Sequence, residues 1–246
     1  MVNDIIKWMD DYLQEASLSC FVVGVSGGID SAVTSTLAAK TGKPIYALNM
    51  SIHQSKDQED LGLLHMDWLT KNFVNVCALK FDFSDVFDSF SRSFSDEFKT
   101  NLSLASSRSR LRMMALYQVA SSKNGLVVGT GNKVEDFGVG FFTKYGDGGV
   151  DISPIADLYK SEVYGLAKEL KIIDAIQSAV PTDGLWDDGR TDEDQLGASY
   201  EELEWVMTNG KRGSVSNGRK DVVVDIYRKC HNKNKHKMVP IPIFRK

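Results

Sequence analysis

Apolar residues recur at helical spacing over residues 2–16, where Ile5, Ile6, Met9, Leu13 and Ala16 share one side. The pattern then tightens to an unbroken apolar run, Phe21-Val22-Val23, which suits a buried strand, and Gly24 to Gly28 break it. A helix opens at Ser31-Ala32-Val33-Thr34. Pro44 to Met50 predicts a second strand and Met50 to Ser55 its exit loop. Asp57 to Lys71 predicts a helix with Leu61, Leu64, Trp68 and Leu69 inward, and Phe73 to Leu79 alternates like a third strand. Thr100 to Lys123 predicts a long helix with Leu111, Met114, Ala115 and Val119 in the core, followed by a fourth strand at Leu126 to Val128 and a brief fifth at Ile152 to Ile155. Helices are expected over Tyr159–Leu170, Ile173–Ala179, Glu201–Thr208 and Asp221–Lys229. The polar stretch 181–194 reads as a loop, and with 210–218 (Gly210, Gly213, Gly218) it is expected to be mobile.

This strand–helix rhythm predicts an α/β fold with a parallel sheet and helices on both faces. Ligands in such sheets lie beyond the C-terminal strand ends, where the loops at 24–30, 50–56 and 129–150 would emerge. No repeat or linker divides residues 1–246, so a single domain is expected.

Composition narrows the class. With 42% hydrophobic residues the chain can bury a good core. No apolar run approaches a membrane span, and the acidic start MVNDIIKWMDDYL is unlike a signal peptide. Cys20, Cys77 and Cys230 have no metal spacing and are odd in number, which suits a reducing cytoplasm. A net charge of −4 argues against a general nucleic-acid binder while leaving room for a local polyphosphate pocket.

The chemistry begins at Phe21–Ser31, FVVGVSGGIDS. A strand, a glycine turn and a helix start make an anion site, because glycines admit a ligand close to the backbone and the first helical N–H groups point at it. The Walker-type loop fails here, since Ile29, Asp30 and Ser31 stand where a Lys and a hydroxyl should follow. The dinucleotide glycine fingerprint fails too, with Gly24, Ser26 and Ile29 at its three glycine positions. The whole string Ser26-Gly27-Gly28-Ile29-Asp30-Ser31 resembles the pyrophosphate loop of the N-type ATP pyrophosphatases, in which Asp30 would hold a magnesium ion.

Residues 129–151, GTGNKVEDFGVGFFTKYGDGGVD, form a second glycine-rich stretch, too long for a plain connection and carrying the adjacent aromatics Phe141 and Phe142. Gly129-Thr130-Gly131 with Glu135, then Gly140 through Gly149, resemble the ammonia-dependent NAD synthetases. Ser153-Pro154-Ile155, Leu158-Tyr159-Lys160, Pro181 through Trp186, Thr191-Asp192-Glu193 and His236-Lys237 fit the same pattern, so the likeness spans nearly the whole chain.

The resemblance implies a three-layer, Rossmann-like fold of the adenine nucleotide alpha hydrolase-like kind. It implies that the carboxylate of deamido-NAD attacks the α-phosphorus of ATP, giving an adenylate and pyrophosphate, and that ammonia then releases NAD and AMP. Mg2+ is the implied cofactor, held by Asp30 and Glu135, with ATP as co-substrate. Gly24, Val25, Ser26, Gly27, Gly28, Ile29, Asp30, Ser31, Thr130, Lys160 and Thr182 fall at its ATP-contacting positions. Arg112, Lys144, Asp151, His236 and Lys237 fall at its deamido-NAD positions. Asp147 would lie near the ammonia site as a third catalytic carboxylate beside Asp30 and Glu135. A homodimer is also implied, with the apolar side of the N-terminal helix and the Phe94/Phe98 neighbourhood as its candidate surfaces.

Several residues have plainer readings. An isolated loop Glu is usually solvated, Asp147 equally suits a turn, and Thr130 and Thr182 could be caps. Arg108 reads as part of a solvated basic face, His53 as an exposed histidine and Cys20 as a small buried hydrophobe. Only 23 residues precede Gly24, too few for a glutaminase domain, so free ammonia is the expected nitrogen donor. Alternatives are another ligase with the same loop, making GMP or asparagine, and a nucleotide-binding module without chemistry.

Overall fold

Cys20-Phe21-Val22-Val23 has no polar position, and all four side chains are buried in β1 (Cys20–Gly24). The computed structural model describes residues 1–54, 56–182, 191–209 and 218–246. Upstream of β1, α1 (Val2–Glu15) turns Met9 and Leu13 into the core. The chain then runs through α2 (Ile29–Lys40), β2 (Ile45–Ser51), α3 (Lys56–Asn72), β3 (Val76–Asp82), α4 (Ser84–Arg92), α5 (Asn101–Lys123) and β4 (Gly125–Val128). The strands form a parallel sheet in the order β3-β2-β1-β4.

Alternate strand residues feed two cores, as period-2 geometry requires. Phe21, Val23, Ile45, Ala47, Leu126 and Val128 pack against α1, α2, α3 and the later helix α6 (Lys160–Glu169). Val22, Leu48, Met50 and Val127 pack against Leu116 and Ala120 of α5 on the opposite face. The expected three layers are therefore present.

Downstream, α7 (Asp174–Gln177), α8 (Asp192–Leu196), α9 (Tyr200–Asn209) and α10 (Arg219–Met238) complete the described helices. Val134, Val139, Leu196, Leu203, Val206 and Val223 join α8, α9 and α10 to the 134–139 segment in a smaller third core. No described helix is long and apolar enough to cross a membrane.

Several expectations are corrected. Ile152–Ile155 is not a strand: Ile152 makes a single parallel bridge to Val128, and Pro154, lacking an N–H, cannot extend a ladder. The third strand starts three residues later than its alternation suggested and runs to Asp82, as a sheet edge that tolerates Lys80 and Asp82. Leu64 and Met114 are exposed, whereas His65 and Met66 are buried in α3 and Ala105, Ser109 and Ala120 in α5. The segment 84–92 forms α4, anchored by buried Phe87 despite its serines and aspartates. The expected loop does not extend to residue 194: Thr191 caps α8 in a reciprocal box with Asp194. Residues 183–190, Gly210 and Gly213 lie outside the described residues, while Gly218 stands at the N-terminus of α10.

His65 is fully buried, with Nε2 3.0 Å from Ser35 Oγ and its ring stacked on Trp68. Burial pushes its pKa down to about 4. The folded chain therefore resists a proton that the unfolded chain accepts near pH 6.5, so stability present above that pH is lost as pH falls. From pH 7 to pH 5 this residue is expected to cost about 2 kcal/mol. Urea unfolding at both pH values checks it: His65→Gln should lose less stability over the interval than the parent chain.

Candidate active site

Strand order places the site. The chain builds outward from β1 to β3 and then crosses back to β4 on the other side of β1, so the loops leaving β1 and β4 separate and open a crevice between them. The first loop, Val25 to Gly28, is tightly folded. Gly27 has φ +94°, and a β-carbon there would run into the backbone of Gly62 in α3. Only glycine meets both conditions. The Gly28 N–H donates to Ser26 Oγ (3.2 Å), the Ser26 N–H to Ser31 Oγ (3.2 Å), and the Ser31 hydroxyl to the Gly28 carbonyl (2.9 Å). No side chain caps α2, which leaves its first turn open to an anion.

The charged centre lies beside that helix start. Lys160, 4% exposed at its side chain, sits 2.5 Å from Asp30 Oδ2 and 3.1 Å from Glu135 Oε1. Burial opposes the charge on Lys160, but Asp30 and Glu135 overcome it and hold its proton more firmly than usual. Burial also pushes the Asp30 carboxyl up; Lys160 pulls it back, and the charge on Glu135 adds to the rise. The Tyr200 ring faces the ammonium at 4.6 Å, and its hydroxyl lies 2.6 Å from Glu135 Oε1 and 3.0 Å from Asp192 Oδ2. Burial and those carboxylates keep the phenol protonated.

Asn132 connects the two loops. Its amide donates to Asp30 Oδ1 (3.2 Å), and its oxygen accepts from the N–H groups of Val134 (3.0 Å) and Glu135 (3.2 Å). It thereby caps a single π-helical turn, Val134–Val139, within a stretch that carries no periodicity in the sequence. The turn also brings Asp136 to the cavity. Burial pushes its carboxyl up to about 8, aided by Glu135, Asp147 and Asp30 and opposed by Lys237.

One cavity of about 310 Å3 gathers the expected ATP and catalytic residues: the whole run Gly24 to Ser31, with Thr130, Glu135, Asp147, Lys160 and Thr182. Arg112 lines it as well, its guanidinium donating to the Met50 carbonyl (3.0 Å) and to Gln54 Oε1 (2.7 Å). The other four residues assigned to the dinucleotide do not line it. Asp151 instead accepts from the Tyr117 hydroxyl (2.8 Å) and the Val127 N–H (2.8 Å). Lys237 donates to the carbonyls of Gly140 and Phe142, and Lys144 to the backbone carbonyl of exposed His236 (3.1 Å).

Two of the plainer readings hold: Cys20 is buried, and His53 pairs with Asp88 at the surface (2.8 Å). Arg108 does not lie on a solvated face; it is half-buried, with its guanidinium packed over the ring of buried Phe87. Sequence reasoning passed over Asn132, Asp136 and Tyr200. Asp136 stands next to Glu135 and so had a nearby signal, whereas Tyr200 lies seven residues beyond Glu193, in the next helix, and had none.

The donor set suits a hard divalent cation. Carboxylates in excess of the single lysine converge where phosphate oxygens would arrive, and none of the hydrogen bonds among the described residues uses Glu135 Oε2. No group of three or more His, Cys, Asp or Glu is preassembled for a metal among those residues, so water and phosphate would supply the remaining ligands.

A family model described as NAD synthase matches residues 1–240. An NH(3)-dependent NAD(+) synthetase of Finegoldia magna is 36% identical over 87% of this chain and 86% of its own length. Among solved structures, an NMN synthetase from Francisella tularensis is 33% identical with a TM-score of 0.85, covering 99% of this chain and 97% of that one. An NH3-dependent NAD synthetase from Campylobacter jejuni, in complex with nitrate, is 27% identical with a TM-score of 0.78 over 99% and 97% of the two chains.

Proposed function

The chain belongs to the NAD synthase family, and on that premise we propose that it is a single-domain ligase that amidates deamido-NAD with free ammonia, splitting ATP into AMP and pyrophosphate. The observation that carries this reading is the Asp30–Lys160–Glu135 cluster at the open start of α2, inside one cavity with the glycine loop. A carboxylate is a poor electrophile toward ammonia; attack of its oxygen on the α-phosphorus of ATP expels pyrophosphate and forms an acyl adenylate, from which ammonia displaces AMP. The two reactants are both anions, so the site must lower their repulsion. The amides of the glycine loop and α2 hold the departing pyrophosphate. Lys160 offsets negative charge from the protein side and fixes Asp30 and Glu135. Asp30 and Glu135 would hold Mg2+, which when bound would screen the charge of the phosphates. Asp147 faces the incoming ammonium and takes its proton.

A second reading has two supports: a mononucleotide acid as substrate, giving NMN. Four residues at the family's dinucleotide positions lie outside the cavity lining, three of them bonded within the protein, and the Francisella tularensis structure carries the NMN synthetase name. A homodimer in the cytoplasm completes the proposal. The apolar side of α1 is consumed in the chain's own core, but Val86, Phe90, Phe94, Phe98 and Leu102 remain exposed at a spacing of four, and all three cysteines are free thiols.

The test is incubation of the purified chain with ATP, Mg2+, ammonium and either acid. NAD with equimolar AMP and pyrophosphate supports the first reading, and NMN with the same by-products the second. ADP with orthophosphate, or activity only with glutamine, overturns both. Sedimentation of the same preparation should give the mass of two chains.

A further inference from the structure

Between Arg108 and Arg110, on a helix otherwise read for its arginines, Ser109 is buried at the wall of the cavity. Its hydroxyl donates to Asp147 Oδ1 at 2.6 Å and accepts from the Asp147 N–H at 2.9 Å. The Thr143 N–H donates to the same carboxylate oxygen at 3.0 Å. Three hydrogen bonds thus fix Asp147 from both its backbone and its side chain, and among the described residues none of them uses Oδ2. Asp147 is an exposed residue whose carboxyl is nonetheless crowded by protein. The turn carrying it is moulded to the serine: Gly146 and Gly149 close it through bonds to Thr143 and Gly146, and a β-carbon on Gly146 would strike Ser109 Oγ.

We propose that Ser109 is a positioning residue for the nitrogen donor, locking Asp147 through Oδ1 so that Oδ2 is presented to ammonium. Ammonium is a small cation with four N–H donors and no shape to read, so its selection depends on where acceptors are held rather than on how many surround it. A carboxylate free to rotate would spend part of its time facing solvent. Ser109 removes that freedom without adding charge. This rests on the reading of Asp147 as the ammonium-facing carboxylate, and the experiment separates the two.

Steady-state kinetics are measured for the parent chain, Ser109→Ala, Ser109→Cys and Asp147→Asn, varying ammonium and ATP independently. Loss of a hydrogen bond to a charged group is expected to raise the KM for ammonium about 10-fold in Ser109→Ala. The KM for ATP should stay within about twofold. Ser109→Cys, which keeps the shape but offers a weak donor, should move the same constant in the same direction. Asp147→Asn should raise it further. An unchanged ammonium KM in both serine variants, with Asp147→Asn impaired, overturns the role of Ser109 and leaves the reading of Asp147 standing. An unchanged ammonium KM in Asp147→Asn overturns that reading and this inference with it. Parallel changes in all constants with a lowered Tm would make Ser109 a packing residue only, which also overturns the proposal.

Discussion

Asp30→Asn is expected to lower turnover about 1,000-fold while leaving the fold intact. The size of the effect follows from position. Asp30 is the second residue of α2, bonded by both Lys160 and Asn132, so its carboxylate stands where the glycine loop, the π-helical turn and α6 converge. An amide keeps the shape and one acceptor oxygen but removes the charge that would hold a divalent cation. The fold should tolerate the change, because burial already disfavours the ionised form of Asp30. Glu135 also stays beside Lys160 in this variant, so the buried ammonium keeps an anionic partner and the stability loss is smaller than that of removing the lysine. The measurements are AMP and pyrophosphate release under saturating substrates, with a thermal melt of the same sample. Turnover within about tenfold of the parent chain would mean that Asp30 is not at the reacting phosphates.

The sequence reading reached furthest where one local stretch contains both the fold signal and the chemistry. Phe21 to Ser31 is such a stretch: its apolar run makes the strand, its glycines make the turn, and Asp30 enters the site because α2 starts where it does. Local pattern failed where the deciding contact was distant. The 84–92 segment has poor helix propensity and is held by burial of Phe87, and β3 takes its bounds from pairing with β2 rather than from its own alternation. The same holds within the site. Ser109 belongs to it through a turn 38 residues away, and Tyr200 through Glu135, 65 residues away. Neither partner can be read from a window. Resemblance supplied the cluster members that local pattern could not, and the geometry then divided them: the ATP and catalytic positions converge on the cavity, whereas Asp151, Lys144 and Lys237 bind the protein's own backbone.

Lys160→Met should produce the largest loss of stability, and its dependence on pH and metal is the sharper test of the charged centre. Methionine keeps the length and packing of the lysine stem but leaves Asp30 and Glu135 facing each other without a cation. Breaking a buried pair from one side costs about 3–5 kcal/mol, which in a domain of this size is roughly a 10 °C fall in Tm. The sign of the pH dependence follows from the carboxylates. With Lys160 gone, the folded pKa of Asp30 lies further above its unfolded value, so the penalty is small near that unfolded value and grows as pH rises and the group is forced to ionise. The deficit relative to the parent chain should therefore be larger at pH 8 than at pH 5. Millimolar Mg2+ should return part of the lost Tm in the variant and add little to the parent, because the cation takes over the neutralisation that Lys160 performs in its absence. Thermal melts at both pH values, in chelator and in Mg2+, give four differences. A variant as stable as the parent at pH 8 in chelator would show that the two carboxylates do not need the lysine. A deficit that Mg2+ leaves unchanged would show that Asp30 and Glu135 do not bind the ion unaided by phosphate.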